Sequence, residues 1–192
     1  MDYETKALFR NDIRRLAPIF REIFGVKKEG PFPVLQALEK VPLVFEDCDY
    51  EIVENDILPI TTPARCKPND KGGFTIEIRN EIYKGAYEKR IGAYLDHICH
   101  EMSHIFLFKI GYVPLYNRSL EDKKIESFKS VEWQAKALTG EVMIPYEESD
   151  GMSWEEIMDK FHVSKSAARY RVMLDNGYIL CSDGSVKRNY FI

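Results

Sequence analysis

The sequence predicts an α+β fold on three observations: one strictly alternating strand, a long helical run after it, and a second amphipathic helix after that. The strand is Phe74-Thr-Ile-Glu-Ile-Arg79, with Phe74, Ile76 and Ile78 on one face and Thr75, Glu77 and Arg79 on the other. The long run covers Ala86 to Ile110 and is closed by Gly111 and Pro114. The next helix is capped by Ser119 and runs to about Met143, before Pro145. Phe128, Val131, Ala135, Leu138 and Val142 form its apolar stripe.

Upstream, Phe9, Ile13, Leu16, Phe20 and Ile23 recur at helical spacing within Asp2 to Phe24, and Gly25 follows as a stop. Pro31 to Lys40 reads as a shorter helix ended by Pro42. Leu43 to Phe45 and Tyr50 to Val53 read as short strands. Asp56 to Gly73, with Pro59, Pro63, Pro68, Gly72 and Gly73, reads as a loop.

Downstream, Ser153-Trp-Glu-Glu156 is a capping box opening a short helix, Val163-Ser164 is a break, and a helix from about Lys165 to Asp175 ends at Gly177. The expected division is a main domain over 1–150 and a small helical subdomain, helix-turn-helix-like, over 151–192.

A formal net charge of −4 excludes a general attraction to phosphate backbones or anionic lipid, so neither nucleic acid nor a membrane is an expected partner. The charged opening residues lack the apolar core of a secretory signal, and no stretch approaches a membrane span, so the expected location is the cytoplasm. Cys48, Cys66, Cys99 and Cys181 are scattered with no C-x-x-C pair, which points to buried or spare thiols.

The chemistry concentrates at His100-Glu-Met-Ser-His104. On a helix, i, i+4 spacing stacks both imidazoles on one face, where they can grip one cation. Glu101 lies one position round, where its carboxylate can serve as general base without ligating. A catalytic zinc takes three protein ligands and leaves a fourth position open. By chemistry alone Glu121, Asp122, Glu126, Glu132 and Glu141 are all candidates for the third. His97, three residues before His100, is read as a supporting polar group, and Cys99 has no assigned role.

The combined pattern resembles the ImmA/IrrE family of HExxH metallopeptidases over most of the chain. The matching segments, in order, are the alternating strand, the His-Glu-Met-Ser-His helix, Glu132-Trp-Gln-Ala-Lys-Ala-Leu-Thr-Gly-Glu-Val-Met-Ile-Pro145, and Phe161-His-Val-Ser-Lys-Ser-Ala-Ala-Arg-Tyr-Arg-Val172. The resemblance implies a zincin-like domain with a C-terminal helix pair, Zn2+ held by His100, His104 and Glu132, and Glu101 as the catalytic base. It also implies a protein substrate, typically a helix-turn-helix transcriptional repressor. One stretch departs from the family: its usual Ala-Asn-x-Phe-Ala is here Ala135-Lys-Ala-Leu-Thr139, which bears on substrate fit more than on metal binding.

Two readings compete with the peptidase. One is a non-hydrolytic zinc sensor or repressor-binding module; the other is a regulator meeting phosphates through Lys165, Arg169 and Arg171. The alternating strand reads first as an ordinary half-buried strand; its alternative reading is a sheet edge that holds an extended substrate by main-chain hydrogen bonds.

Overall fold

The structure, a computed structural model, describes residues 2–115, 125–180 and 186–188. It is α+β: helices surround a small mixed sheet. The first helix, α1 (Arg10–Ile23), starts later than its apolar spacing suggests, because residues 2–8 run extended and bond elsewhere. Ile13, Ala17 and Phe20 face the core, while Phe9 and Ile23 point outward. Arg21 is buried with them and donates to the carbonyls of Lys27 (2.7 Å), Glu29 (3.0 Å), Gly30 (2.8 Å) and Val142 (2.6 Å).

Next come α2 (Val34–Glu39) and α3 (Val41–Val44). The expected strand at Leu43–Phe45 is therefore helical. Pro42 falls in the first turn of α3, where its missing N–H costs nothing, and Leu43 is left in solvent.

The sheet contains β1 (Asp49–Val53), β2 (Ala64–Pro68) and β3 (Phe74–Arg79) in the order β1-β3-β2, with β1 parallel and β2 antiparallel to β3. Two readings are overturned here. The segment read as a loop contains β2, whose Ala-Arg-Cys-Lys-Pro string has little strand propensity of its own and is held by pairing with β3. The alternative that put β3 at an edge also fails, because β3 is central and its main-chain groups are already paired on both sides. Ile76 and Ile78 are fully buried. On the other face Glu77 is buried beneath Arg65 (2.6 Å) and Lys67.

The long helical run is two helices, α4 (Asn80–Lys89) and α5 (Gly92–Lys109). Arg90 adopts a left-handed backbone (φ 49°) between them. At Gly92 another part of the chain comes close: a Cβ there would lie 2.5 Å from the carbonyl carbon of Val163. α5 contacts α2, α4, β2 and β3 as well as the following helix, α6 (Val131–Met143), which also packs on α1.

α6 is capped by Ser130 and preceded by a 3-10 turn at Ser127–Lys129, so it is shorter than the helix expected from Ser119. Ser119 itself lies outside the described residues, as do Tyr116, Glu121, Asp122 and Cys181.

After a single turn, α7 (Tyr146–Ser149), come α8 (Trp154–Phe161), α9 (Lys165–Asp175) and an antiparallel pair of short strands, β4 (Tyr178–Leu180) and β5 (Val186–Arg188). The capping box at Ser153 and Glu156 forms as the sequence predicts. Ile157, Phe161, Val163 and Ala168 join the same buried apolar cluster as Ile98, Met102 and Leu138. Among the described residues no helix is long and apolar enough to cross a membrane.

Candidate metal centre

The site is assembled by α5 and the first turn of α6. One face of α5 is pinned by Ile98, Cys99, Met102, Ile105 and Phe106, all buried, which leaves His100 and His104 half-buried on the face towards α6. Between the two helices Ser103 and Thr139 place their hydroxyls 3.0 Å apart, and each reaches its own i−4 carbonyl at 2.9 Å. Thr139 belongs to the stretch that departs from the resembled family, and here its hydroxyl has a partner on the helix of the histidines. Helix packing, not local sequence, brings Glu132 opposite the imidazoles.

The donor atoms converge on one point. His100 Nε2 and His104 Nε2 are 3.0 Å apart, Glu132 Oε2 is 3.2 Å from His100 Nε2, and Glu132 Oε1 is 3.6 Å from His104 Nε2. Three ligands at ~2.0–2.1 Å around one tetrahedral ion stand ~3.3 Å from each other. Ligand type and spacing therefore fit a small divalent cation. The three residues offer one ligand atom each within 4.8 Å of one another, the arrangement of a possible metal-binding triad.

The two carboxylates of the site differ in their surroundings. Hydrogen bonds from His100 and then His104 hold Glu132 well below the usual carboxylate range. Burial pushes Glu101 up to about 7, against the opposing pull of His100 and of the Cys66 N–H that its carboxylate accepts. A carboxyl group poised near neutrality beside a cation site is suited to take up and return a proton.

The other candidates lie elsewhere. Glu126 pairs with Lys129 at 3.0 Å. Glu141 is buried in a two-pronged ion pair with Arg171 (3.1 and 2.8 Å), with Arg10 and Arg14 each 3.5 Å away. His97 is exposed and not part of the triad. Cys99 is fully buried, and burial pushes its thiol up.

Two contributors escaped the sequence. One is the main-chain N–H of Cys66, on a strand the residues did not announce; the other is Asp2, which reaches the start of α6 from 128 positions away. No sequence signal marks either, since the first is a backbone group and the second a single acidic residue in a charged segment.

No family model matches the chain, and no curated protein does. Among solved structures it is similar to a chain described as a Mycobacterium tuberculosis transcriptional regulator, with a TM-score of 0.59 and 14% identity. The match covers 93% of this chain and 55% of that one, so this chain spans about half the regulator's length. At that identity the likeness concerns fold alone.

Proposed function

We propose that the protein is a zinc-dependent peptidase with a zincin-like domain of the ImmA/IrrE kind, acting on a protein substrate such as a helix-turn-helix repressor. The observation that carries this reading is the convergence of His100, His104 and Glu132 on one point beside a half-buried Glu101. A zinc ion held by His100, His104 and Glu132 would supply Lewis acidity at the site. Glu101 is placed to take a proton from an attacking water and return it to the leaving amine, with the Cys66 N–H favouring its charged form. Because β3 is central, the edge that suits a substrate strand is instead that of β2, which among the described residues has no second partner strand, its Cys66 N–H already given to Glu101.

Nucleic-acid binding through α8 and α9 has less support. A reading helix presents its first turn to bases. In α9 the cap is packed on α5: Ser164 donates to Asp96 at 2.9 Å and the Val163–Ser164 backbone lies against Gly92, although Lys165, Ser166 and Arg169 beyond it are exposed. Arg171 is buried against Glu141 and unavailable to phosphate.

Elemental mass spectrometry of the purified protein tests the reading. The expected result is near one equivalent of zinc in the parent, lost in His104→Ala and Glu132→Ala and kept in Glu101→Gln, which has no turnover. Absence of zinc after incubation with excess metal refutes it. Zinc held with no cleavage by parent or Glu101→Gln points to the non-hydrolytic sensor module.

A further inference from the structure

Residues 2–5 lie outside the catalytic constellation and yet touch both of its supports. An α-helix leaves its first N–H groups without partners inside the helix, and whatever satisfies them fixes the first turn. In α6 the Val131 N–H donates to the Tyr3 carbonyl (3.0 Å), the Glu132 N–H to Asp2 Oδ1 (3.2 Å), and the Trp133 N–H to Ser130 Oγ (2.9 Å). The Ser130 hydroxyl in turn donates to Asp2 Oδ2 at 2.6 Å, which orients it to accept from Trp133. Asp2 thus governs two of the three bonds, and its negative charge sits at the positive end of the helix dipole.

The opposite side of the same segment is tied to the chain leaving α5. The Leu115 N–H donates to the Glu4 carbonyl at 2.7 Å, and the Thr5 hydroxyl donates to the Val113 carbonyl at 2.8 Å. Thr5 N–H also bonds the Lys129 carbonyl at 2.8 Å, and Glu4 and Ser130 form an antiparallel bridge. The segment therefore spans from the exit of the histidine helix to the entry of the glutamate helix.

Glu132 is the member of the triad least held by packing, with 52% of its side chain in solvent, against 22% and 16% for His100 and His104. Where its carboxylate falls depends on the backbone of the first turn of α6.

We propose that residues 2–5 are a latch for the metal centre, with Asp2 the positioning residue that sets Glu132 towards His100 and His104. The proposal rests on the metal-site reading above. Partners that orient a metal ligand typically change affinity by about 10–100-fold when removed, and the latch acts on a ligand's backbone rather than on its side chain.

Zinc affinity by competition with a chromophoric chelator, and the visible absorption of the cobalt(II)-substituted protein, test this on four full-length chains: parent, Asp2→Ala, Asp2→Asn and Ser153→Ala. Asp2→Ala is expected to weaken zinc binding roughly tenfold and to alter the cobalt absorption. Asp2→Asn, which keeps an oxygen acceptor, is expected to restore part of both. Ser153→Ala, which removes the cap of α8, should lower the melting temperature and leave both metal readouts at the parental value. Parental affinity and spectrum in Asp2→Ala, or equal weakening in Asp2→Ala and Ser153→Ala, overturns the latch while the metal site stands. A parent that binds neither zinc nor cobalt overturns the metal site, and the latch with it.

Discussion

At the scale of single residues, Glu101 and Glu132 are the same side chain in two different settings. Glu132 stays ionised because two imidazoles bond to it, and half-buried Glu101 resists ionisation because its surroundings solvate the charge poorly. This difference has a measurable consequence for stability. In the metal-free protein Glu101 is pushed up to about 7 from an ordinary value of 4.5. Between those values the folded chain keeps a proton that the unfolded chain has released. Stability therefore falls as pH rises from about 4.5 to about 7 and is level above that window. Denaturant unfolding of the metal-free protein at about pH 5 and about pH 8 should show the parent losing up to about 3 kcal/mol more than Glu101→Gln across the interval. Equal losses in the two proteins would mean that Glu101 titrates as an ordinary surface carboxylate.

At the scale of elements, the site depends on how α5, α6 and α9 are held in register. Burial pushes Asp96 up to about 6, with the Ser164 hydroxyl bond pulling the other way, and that contact seats the cap of α9 on α5. At the other end of the helix, Arg171 joins α9 to α6 through Glu141 and through the carbonyls of Gly140 (3.2 Å) and Ile144 (2.6 Å). Breaking a buried pair from one side leaves the other charge stranded, whereas replacing both with apolar groups can be close to neutral. Arg171→Met leaves Glu141 only the more distant Arg10 and Arg14 as partners and is expected to cost roughly 3 kcal/mol, and the Arg171→Met/Glu141→Leu double variant to recover part of it, since Arg10 and Arg14 then lose Glu141, as read by thermal unfolding. An additive double variant would show that the pair has no coupling beyond packing.

At the scale of the whole molecule, a cation held by two helices and bound only by the folded state should stabilise the entire chain. With free zinc at about 100 times its dissociation constant the gain is about 2.7 kcal/mol. For a chain of this length that is a rise of roughly 5–10 °C in melting temperature. The rise should appear in the parent and be absent in His104→Ala. A parent whose melting point ignores zinc would count against the metal site.

The α+β class, the alternating strand, the His-Glu-Met-Ser-His helix and the capping box at Ser153 were legible in the sequence because each is local. Residue spacing within one helix or strand decides which side chains share a face, whatever the rest of the chain does. The amphipathic period of α6 was legible too, but not its start, because Ser130 rather than Ser119 caps its described first turn. β2 was missed because its five residues are held by β3 rather than by their own propensity. The break before α5 was missed because the close approach of Val163 that requires Gly92 comes from 71 positions further along the chain.

By itself the sequence determined that two histidines and a glutamate share one helix, and that the chain carries no charge excess to draw it to nucleic acid. Residue chemistry and spacing left the third member of the triad open, the family resemblance pointed to Glu132, and the tertiary structure is what brings Glu132 to the two histidines. Glu126, Glu132 and Glu141 are chemically equivalent candidates, and the packing of α6 on α5 places Glu132 within 3.2 Å of His100 while turning Glu141 into the core against Arg171. The physical reason is separation along the chain. The contact of His100 with Glu132 closes 32 residues and that of Asp2 with Glu132 closes 130. Loops of that length are closed by the burial of the whole core, to which no single stretch of residues testifies.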